Sequence, residues 1–342
     1  MRLLRHLISI SILAPAMLTM PLSGQELQVV KRVTLPGDEG WDYLTVDAAA
    51  HRLYVTHASR VLVVDTEHDS LVGEVPKTPG VHGVAIARDL GRGFISNGRD
   101  TSVTVFDLSS LATVANVKVT GRNPDAIAYD AFSQRVFTFN GGGSNATVID
   151  ATTNAVVGTI PLGGKPEFPQ VDGAGKLYVN IEDTGEIAVV DTKAMTVLKR
   201  WALAGCEEPT GLQLDRARHR LFSVCGSKVM VVVNTDDGKI VATLPIGAGC
   251  DGVAYDAERE IAVSSNGEGT MTVVHHEGGD RYRVAQTLKT QRSARTITVD
   301  PSTHRFYTVA AEYGQAPAAT AENPRPRPPM VAGSFTLLIV AR

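Results

Sequence analysis

Aromatic residues are scarce in this chain: they make up 6% of its 342 residues, and Trp41 and Trp201 are the only tryptophans. Cysteine is rarer, with three in all, so the fold is not a disulfide-dense one, and a chain this long needs no such staples. Charge of either sign is not in excess, the formal net charge being −3. That balance argues against a mainly electrostatic nucleic-acid binder. Beyond residue 24 no apolar run is long enough to cross a bilayer. A Walker loop and a Gly-x-Ser-x-Gly elbow are both missing. Gly141-Gly142-Gly143 lies between two strand-like runs, not ahead of a helix, which makes it a hairpin turn and no phosphate cradle. What is plentiful is glycine, 32 residues, within a composition that is 43% hydrophobic and 20% charged. Disordered, collagenous and coiled-coil classes are thereby excluded. Length alone suggests two domains.

Residues 1–24 have the form of a secretory leader. Arg2 and Arg5 make a basic start, Leu7 to Leu18 is an uncharged apolar run, and Pro21-Leu22-Ser23-Gly24 is a small, turn-prone exit. Cleavage near Gly24 would remove both arginines and take the net charge from −3 to −5. A periplasmic or secreted protein is expected.

The mature part repeats itself. Asp42-Tyr43-Leu44-Thr45-Val46-Asp47 is followed, after five residues, by Leu53-Tyr54-Val55-Thr56-His57, and the same frame returns six times. The places equivalent to Asp47 are Ala87, Asp130, Asp172, Asp215, Asp256 and Asp300, spaced 40 to 44 residues apart. Each unit continues with two further β-branched runs, such as Ala146 to Asp150 and Val156 to Pro161. Four short Val-, Thr- and Ile-rich runs separated by Gly, Asn and Asp are four strands joined by tight turns. Seven such units predict an all-β fold, a seven-bladed β-propeller of four-stranded antiparallel blades. The seventh unit supplies three strands, and its fourth is found at Gln28 to Leu35, so the N-terminal strand is expected to complete the last blade. The two domains suggested by length become one ring over residues 25–342.

Leu53-Tyr54-Val55-Thr56-His57 and Leu177-Tyr178-Val179-Asn180 resemble the YVTN-type β-propeller repeat of exported bacterial proteins. The resemblance extends over essentially the whole mature chain and implies the propeller fold. It does not imply an activity. His57, Cys225 and Ala310 stand where that family usually has Asn. Quinone-cofactor dehydrogenases resemble eight-bladed rings rich in tryptophan, which this chain is not, and no cofactor is expected.

A repeat separates framework from site without any alignment. The recurring Arg52, Arg92, Arg135, Arg220 and Arg305, the histidines at 51, 219 and 304, and the Asp47-type aspartates read as turn chemistry, on different blades around the ring. The start of each first strand and the end of each second strand share one face, and that face collects two rings. The inner ring is Asp42, His82, Asp125, Glu167, Thr210, Asp251 and Arg295; the second is His57, Asn97, Asn140, Asn180, Cys225, Asn266 and Ala310. Ligand-binding residues are expected among Asp42, His57, His82, Asn97, Asp125, Asn140, Glu167, Asn180, Asp251, Asn266, Arg295 and Glu312. Carboxylates crowded at a narrow mouth perturb one another and attract a cation or a polar ligand. Asp42, His57 and His82, on consecutive blades, are the candidate ligands if a metal is held there, although no close-spaced ligand motif anchors them.

One insertion breaks the symmetry. Residues 312–334, with Asn323-Pro324-Arg325-Pro326-Arg327-Pro328-Pro329, form a Pro-rich arm in blade 7. It leaves the mouth face as a lid, a partner-docking arm or an idle loop. Cys206 and Cys225 reach the same face of one blade and are expected to form a disulfide worth ~3 kcal/mol in the chain-entropy model, leaving Cys250 a buried thiol; pairing of Cys250 with Cys225 is the alternative. The functional reading is a non-catalytic binding or scaffold protein that recognises a small molecule, a peptide or an envelope partner at the mouth. A propeller hydrolase or lactonase using mouth carboxylates and His is the alternative, and single-stranded nucleic-acid binding a third.

Overall fold

In a computed structural model the chain forms seven four-stranded antiparallel blades in a ring. The structure describes residues 26–320, 324 and 326–342. The leader read in residues 1–24, and Asn323 and Arg325 of the arm, lie outside the described residues. Blade 1 runs outward from the channel through Trp41–Asp47, Arg52–His57, Arg60–Asp65 and Ser70–Pro76. Blades 2 to 6 repeat this order from inner strands Val81–Ala87, Pro124–Asp130, Pro166–Val171, Pro209–Asp215 and Cys250–Asp256. Blade 7 is composite. Thr298–Asp300, Arg305–Ala310 and Thr336–Ala341 come from the end of the chain, and Gln28–Thr34 adds the outermost strand. Gln28 pairs with Ala341 and Thr34 with Thr336. Main-chain hydrogen bonds between the two ends of the described chain therefore fasten the ring.

The cores lie between blades. Leu53, Val55 and Leu62 of blade 1 pack with Tyr307, Phe335 and Leu337 of blade 7. The opposite face of the same sheet, Tyr54, Val61 and Val63, packs with Ile95 and Phe106 of blade 2. Because both faces are covered, third strands lose the usual polar alternation and read as unbroken apolar runs; Val61 to Val64 and Met230 to Val233 are all buried. No blade has a core of its own, so the repeat is stable only in company.

The face opposite the mouth explains the recurring polar residues. The residue before each second strand has a left-handed backbone in all seven blades: His51, Gly91, Gln134, Gly175, His219, Glu260 and His304. Histidine is among the side chains that tolerate this geometry, which accounts for the recurrence at 51, 219 and 304. The following arginines tie each blade to the next. Arg92 donates to the carbonyl of Thr152, Arg135 to those of Thr192 and Lys193, and Arg305 to that of Thr66. Asp172 accepts the main-chain N–H groups of Ala174 and Lys176, and Asp300 that of Ser302, as turn aspartates do.

Cys206 and Cys225 are bonded, with Cα atoms 5.3 Å apart. Cys250 is buried and unpaired, its Sγ beside the Gly252 carbonyl. Among the described residues no helix is long and apolar enough to cross a membrane.

Candidate functional site

The inner ring is made by a recurring defect. At the mouth end of each of the first six blades, the inner strand carries one residue more than its partner. In blade 1 Trp41 faces His57 and Leu44 faces Val55; in blade 6 Cys250 faces Asn266 and Gly252 faces Ser265. The same shift falls at Val81/Val84, Pro124/Ile127, Pro166/Pro169 and Pro209/Leu212. Such a bulge frees a side chain from the ladder and re-aims it. It falls on Asp42, His82, Asp125, Glu167, Thr210 and Asp251. Hydroxyl groups fill the gaps left in the ladder: the Asp42 N–H donates to Thr56 Oγ1 at 3.1 Å and the Gly83 N–H to Ser96 Oγ at 3.0 Å. Arg295 completes the ring from the segment ahead of blade 7, its carbonyl accepting the Asp251 N–H.

These side chains alternate in charge. Arg295 Nη1 lies 2.5 Å from Asp251 Oδ2 and Nη2 3.8 Å from Asp42 Oδ1. His82 Nδ1 lies 2.6 Å from Asp42 Oδ2 and 3.5 Å from Asp125 Oδ1. A chain of opposite charges thus runs from blade 6 through 7, 1 and 2 to blade 3. Burial works to strip the proton from His82, but the hydrogen bond to Asp42 and the charge of Asp125 outweigh it and push the imidazole up to about 9. Burial and the neighbouring Asp42 push Asp125 up to about 7, against the pull of His82. Asp251 is raised by burial, a shift that Arg295 opposes.

Two residues that the ring positions do not mark, Lys165 and Tyr43, join the site. Lys165 Nζ lies 2.8 Å from Glu167 Oε1 and also contacts Glu182. Burial, Asp125 and a hydrogen bond to Glu182 nonetheless push Glu167 up to about 9, while Glu182 is lowered by its bonds to Glu167 and Lys165 against its own burial. Tyr43 is the second. It reaches from blade 1 to blade 4, where its hydroxyl donates to Glu167 Oε2 at 3.3 Å and its ring meets Phe168 edge-on at 5.0 Å. Tyr43 thereby crosses the channel from blade 1 to blade 4, and the mouth ringed by these side chains is termed the cup. Sequence reasoning had the signal in hand, since Tyr43 adjoins Asp42 at the bulge, but no repeat position shows which side chains touch across a ring.

The second ring stands elsewhere than expected. His57, Asn97, Asn140, Asn180 and Asn266 are all fully buried. Asn97 donates to Ser102 and Thr104, Asn140 to Asn145 and Thr147, and Asn266 to Thr270 and Thr272. Asn180 donates across to the Thr210 carbonyl of the next blade. These amides hold strand to strand and present nothing to the cup. His57 packs on Phe335, ring centroids 4.6 Å apart. It does not join Asp42 and His82; the grouping found is Asp42, His82 and Asp125, whose ligand atoms lie within 4.8 Å of one another.

The arm starts beside the cup. Tyr313 bridges to Met330 by main-chain pairing and packs on Trp41 at 6.4 Å, and the Trp41 carbonyl accepts from Arg295 at 3.0 Å. Between the arm and the blade 6–7 connection lies a cavity of about 720 Å³ lined by Gln291, Arg292, Ser293, Glu312, Tyr313 and Pro328, among others. Glu312 therefore stands in the arm cavity, not in the inner ring.

No family model matches the chain, and no curated protein matches it in sequence. A solved structure from the Kuenenia stuttgartiensis hydrazine synthase is similar, with a TM-score of 0.71 and 15% identity over 80% of this chain and 94% of that one. At that identity the likeness shows the propeller fold alone.

Proposed function

We propose that the chain is an exported binding propeller that takes a small polar molecule in the cup at the channel mouth, beside the arm. The observation that carries this reading is the ring itself: side chains of both signs, held by ion pairs at the channel mouth, with Tyr43 reaching across to Glu167 and Phe168. Such preset charges recognise a ligand without rearrangement. Binding is favoured over catalysis because the hydroxyl in the ring, that of Thr210, lies against main-chain carbonyls at 3.3 and 3.5 Å, and His82 is held by carboxylates. Among the described ring residues no nucleophile is paired with a base. The disulfide Cys206–Cys225 and the leader read in residues 1–24 support a periplasmic or secreted setting.

The test is a thermal-shift screen of small polar metabolites against chelator-treated protein, repeated on Arg295→Gln. The expected result is ligands that raise the melting temperature of the unaltered chain and lose most of that shift in the variant. A screen whose shifts are the same in both proteins rejects the cup. The alternative, a metal-assisted hydrolase or lactonase, is favoured by the grouping of Asp42, His82 and Asp125. It predicts hydrolysis of lactone or ester substrates that ends with Asp125→Asn.

A further inference from the structure

We infer that the cup binds one divalent transition-metal ion, of the Zn²⁺ or Mn²⁺ class, through Asp42, His82 and Asp125. The inference deepens the binding reading above and rests on it for the place of the site. Three observations converge. The ligand atoms of the three residues, from three consecutive blades, lie within 4.8 Å of one another. Asp125 is 9% exposed, yet its Oδ1 has no hydrogen-bond partner and points to His82 Nδ1 at 3.5 Å. A buried carboxylate oxygen without a donor is costly, and the cation beside it, His82, directs its Nδ1 proton to Asp42 Oδ2 at 2.6 Å instead.

The third observation is that the groups are preset. Asp42 is held by its N–H on Thr56 and by Thr296, whose hydroxyl donates to the Asp42 carbonyl at 2.8 Å. Ser96 donates to the Asp125 carbonyl. Gly98 lets the imidazole in, because a Cβ there would stand 2.7 Å from His82 Nε2. A divalent ion would take the place of the proton now between His82 Nδ1 and Asp42 Oδ2. One imidazole nitrogen and two carboxylate oxygens suit zinc or manganese better than calcium or magnesium, which prefer oxygen alone. Three protein ligands facing a cup leave coordination positions free for a ligand's oxygen or nitrogen.

Chelator-treated full chain should be titrated with ZnCl₂ and with MnCl₂ by calorimetry. One ion per chain is expected, with affinity falling at least tenfold in Asp125→Asn and in His82→Gln, and unchanged in Glu67→Gln at the exposed Asp65–Glu67–His68 group. In the unaltered chain, Mn²⁺ should broaden the His82 imidazole resonances before those of any other histidine, a readout that needs no variant to fold. Absence of binding, binding that survives both cup variants, or first broadening at His68 overturns the inference. Loss of the metal with the Arg295-dependent ligand shifts intact overturns the metal alone. Metal bound with no such shifts overturns the small-molecule reading alone.

Discussion

The two faces of this ring are built from the same seven repeats and do different things with them. On the face away from the mouth the blades share one solution: a left-handed residue before the second strand in all seven, an aspartate at the end of the first strand in six, and in five an arginine placed to reach the next. On the mouth face the backbone repeats just as strictly, with a bulge at the start of six inner strands, but the residue it exposes changes from blade to blade. Asp, His, Asp, Glu, Thr, Asp and Arg follow one another around the cup. Repetition of residue type marks what holds the ring together; repetition of geometry with variation of residue type marks where a ligand is met.

Phe137→Ala strikes the framework at the core between blades 3 and 4 and should have the largest effect, about 3–5 kcal/mol lost in denaturant unfolding. Gly98→Ala strikes the cup. Its new Cβ would meet Asn123 Oδ1 at 2.6 Å and the His82 ring at 2.7 Å, so about 1–3 kcal/mol should be lost, together with ligand-dependent thermal shifts. A normal shift in this variant would separate the His82 seat from binding.

Arg135→Ala removes two inter-blade hydrogen bonds and should cost about 1–2 kcal/mol while leaving cup binding intact. If ligand shifts fell with it, the two faces would not be independent. Glu167→Gln should have the smallest effect, and one that depends on pH. The folded pKa of Glu167 lies near 9 against 4.5 for the free side chain, so the folded state holds the proton more tightly. Its stabilising share is complete below about pH 4.5 and is lost as pH rises toward 9. The glutamine variant should flatten that decline and be more stable than the unaltered chain at alkaline pH; an unchanged slope would show that Glu167 is already ionised.

Much of the fold was legible because strand and turn chemistry are local. The period near Asp47, Asp130 and Asp215 counted the blades, and the orphan strand at Gln28 announced the closure realised by its pairing with Ala341. The disulfide between Cys206 and Cys225 was legible because both lie at the mouth end of blade 5. The inner ring was placed from strand direction alone. Depth was not legible, because sharing a face says nothing of it: Asn97, Asn140 and Asn266 end their strands at the mouth but turn inward, where their amides donate to third-strand hydroxyls.

By itself the sequence determined the number of blades, their order and the residues brought to one end, since all three follow from strand period and turn chemistry. Only the tertiary structure decided that Tyr43 crosses the channel to Glu167, that Lys165 joins the cup, and that Asp125, not His57, stands with Asp42 and His82. The Tyr43 and His82 contacts join blades across 124 and 40 residues of chain, set by the curvature of a closed ring, to which no local pattern of residues is sensitive.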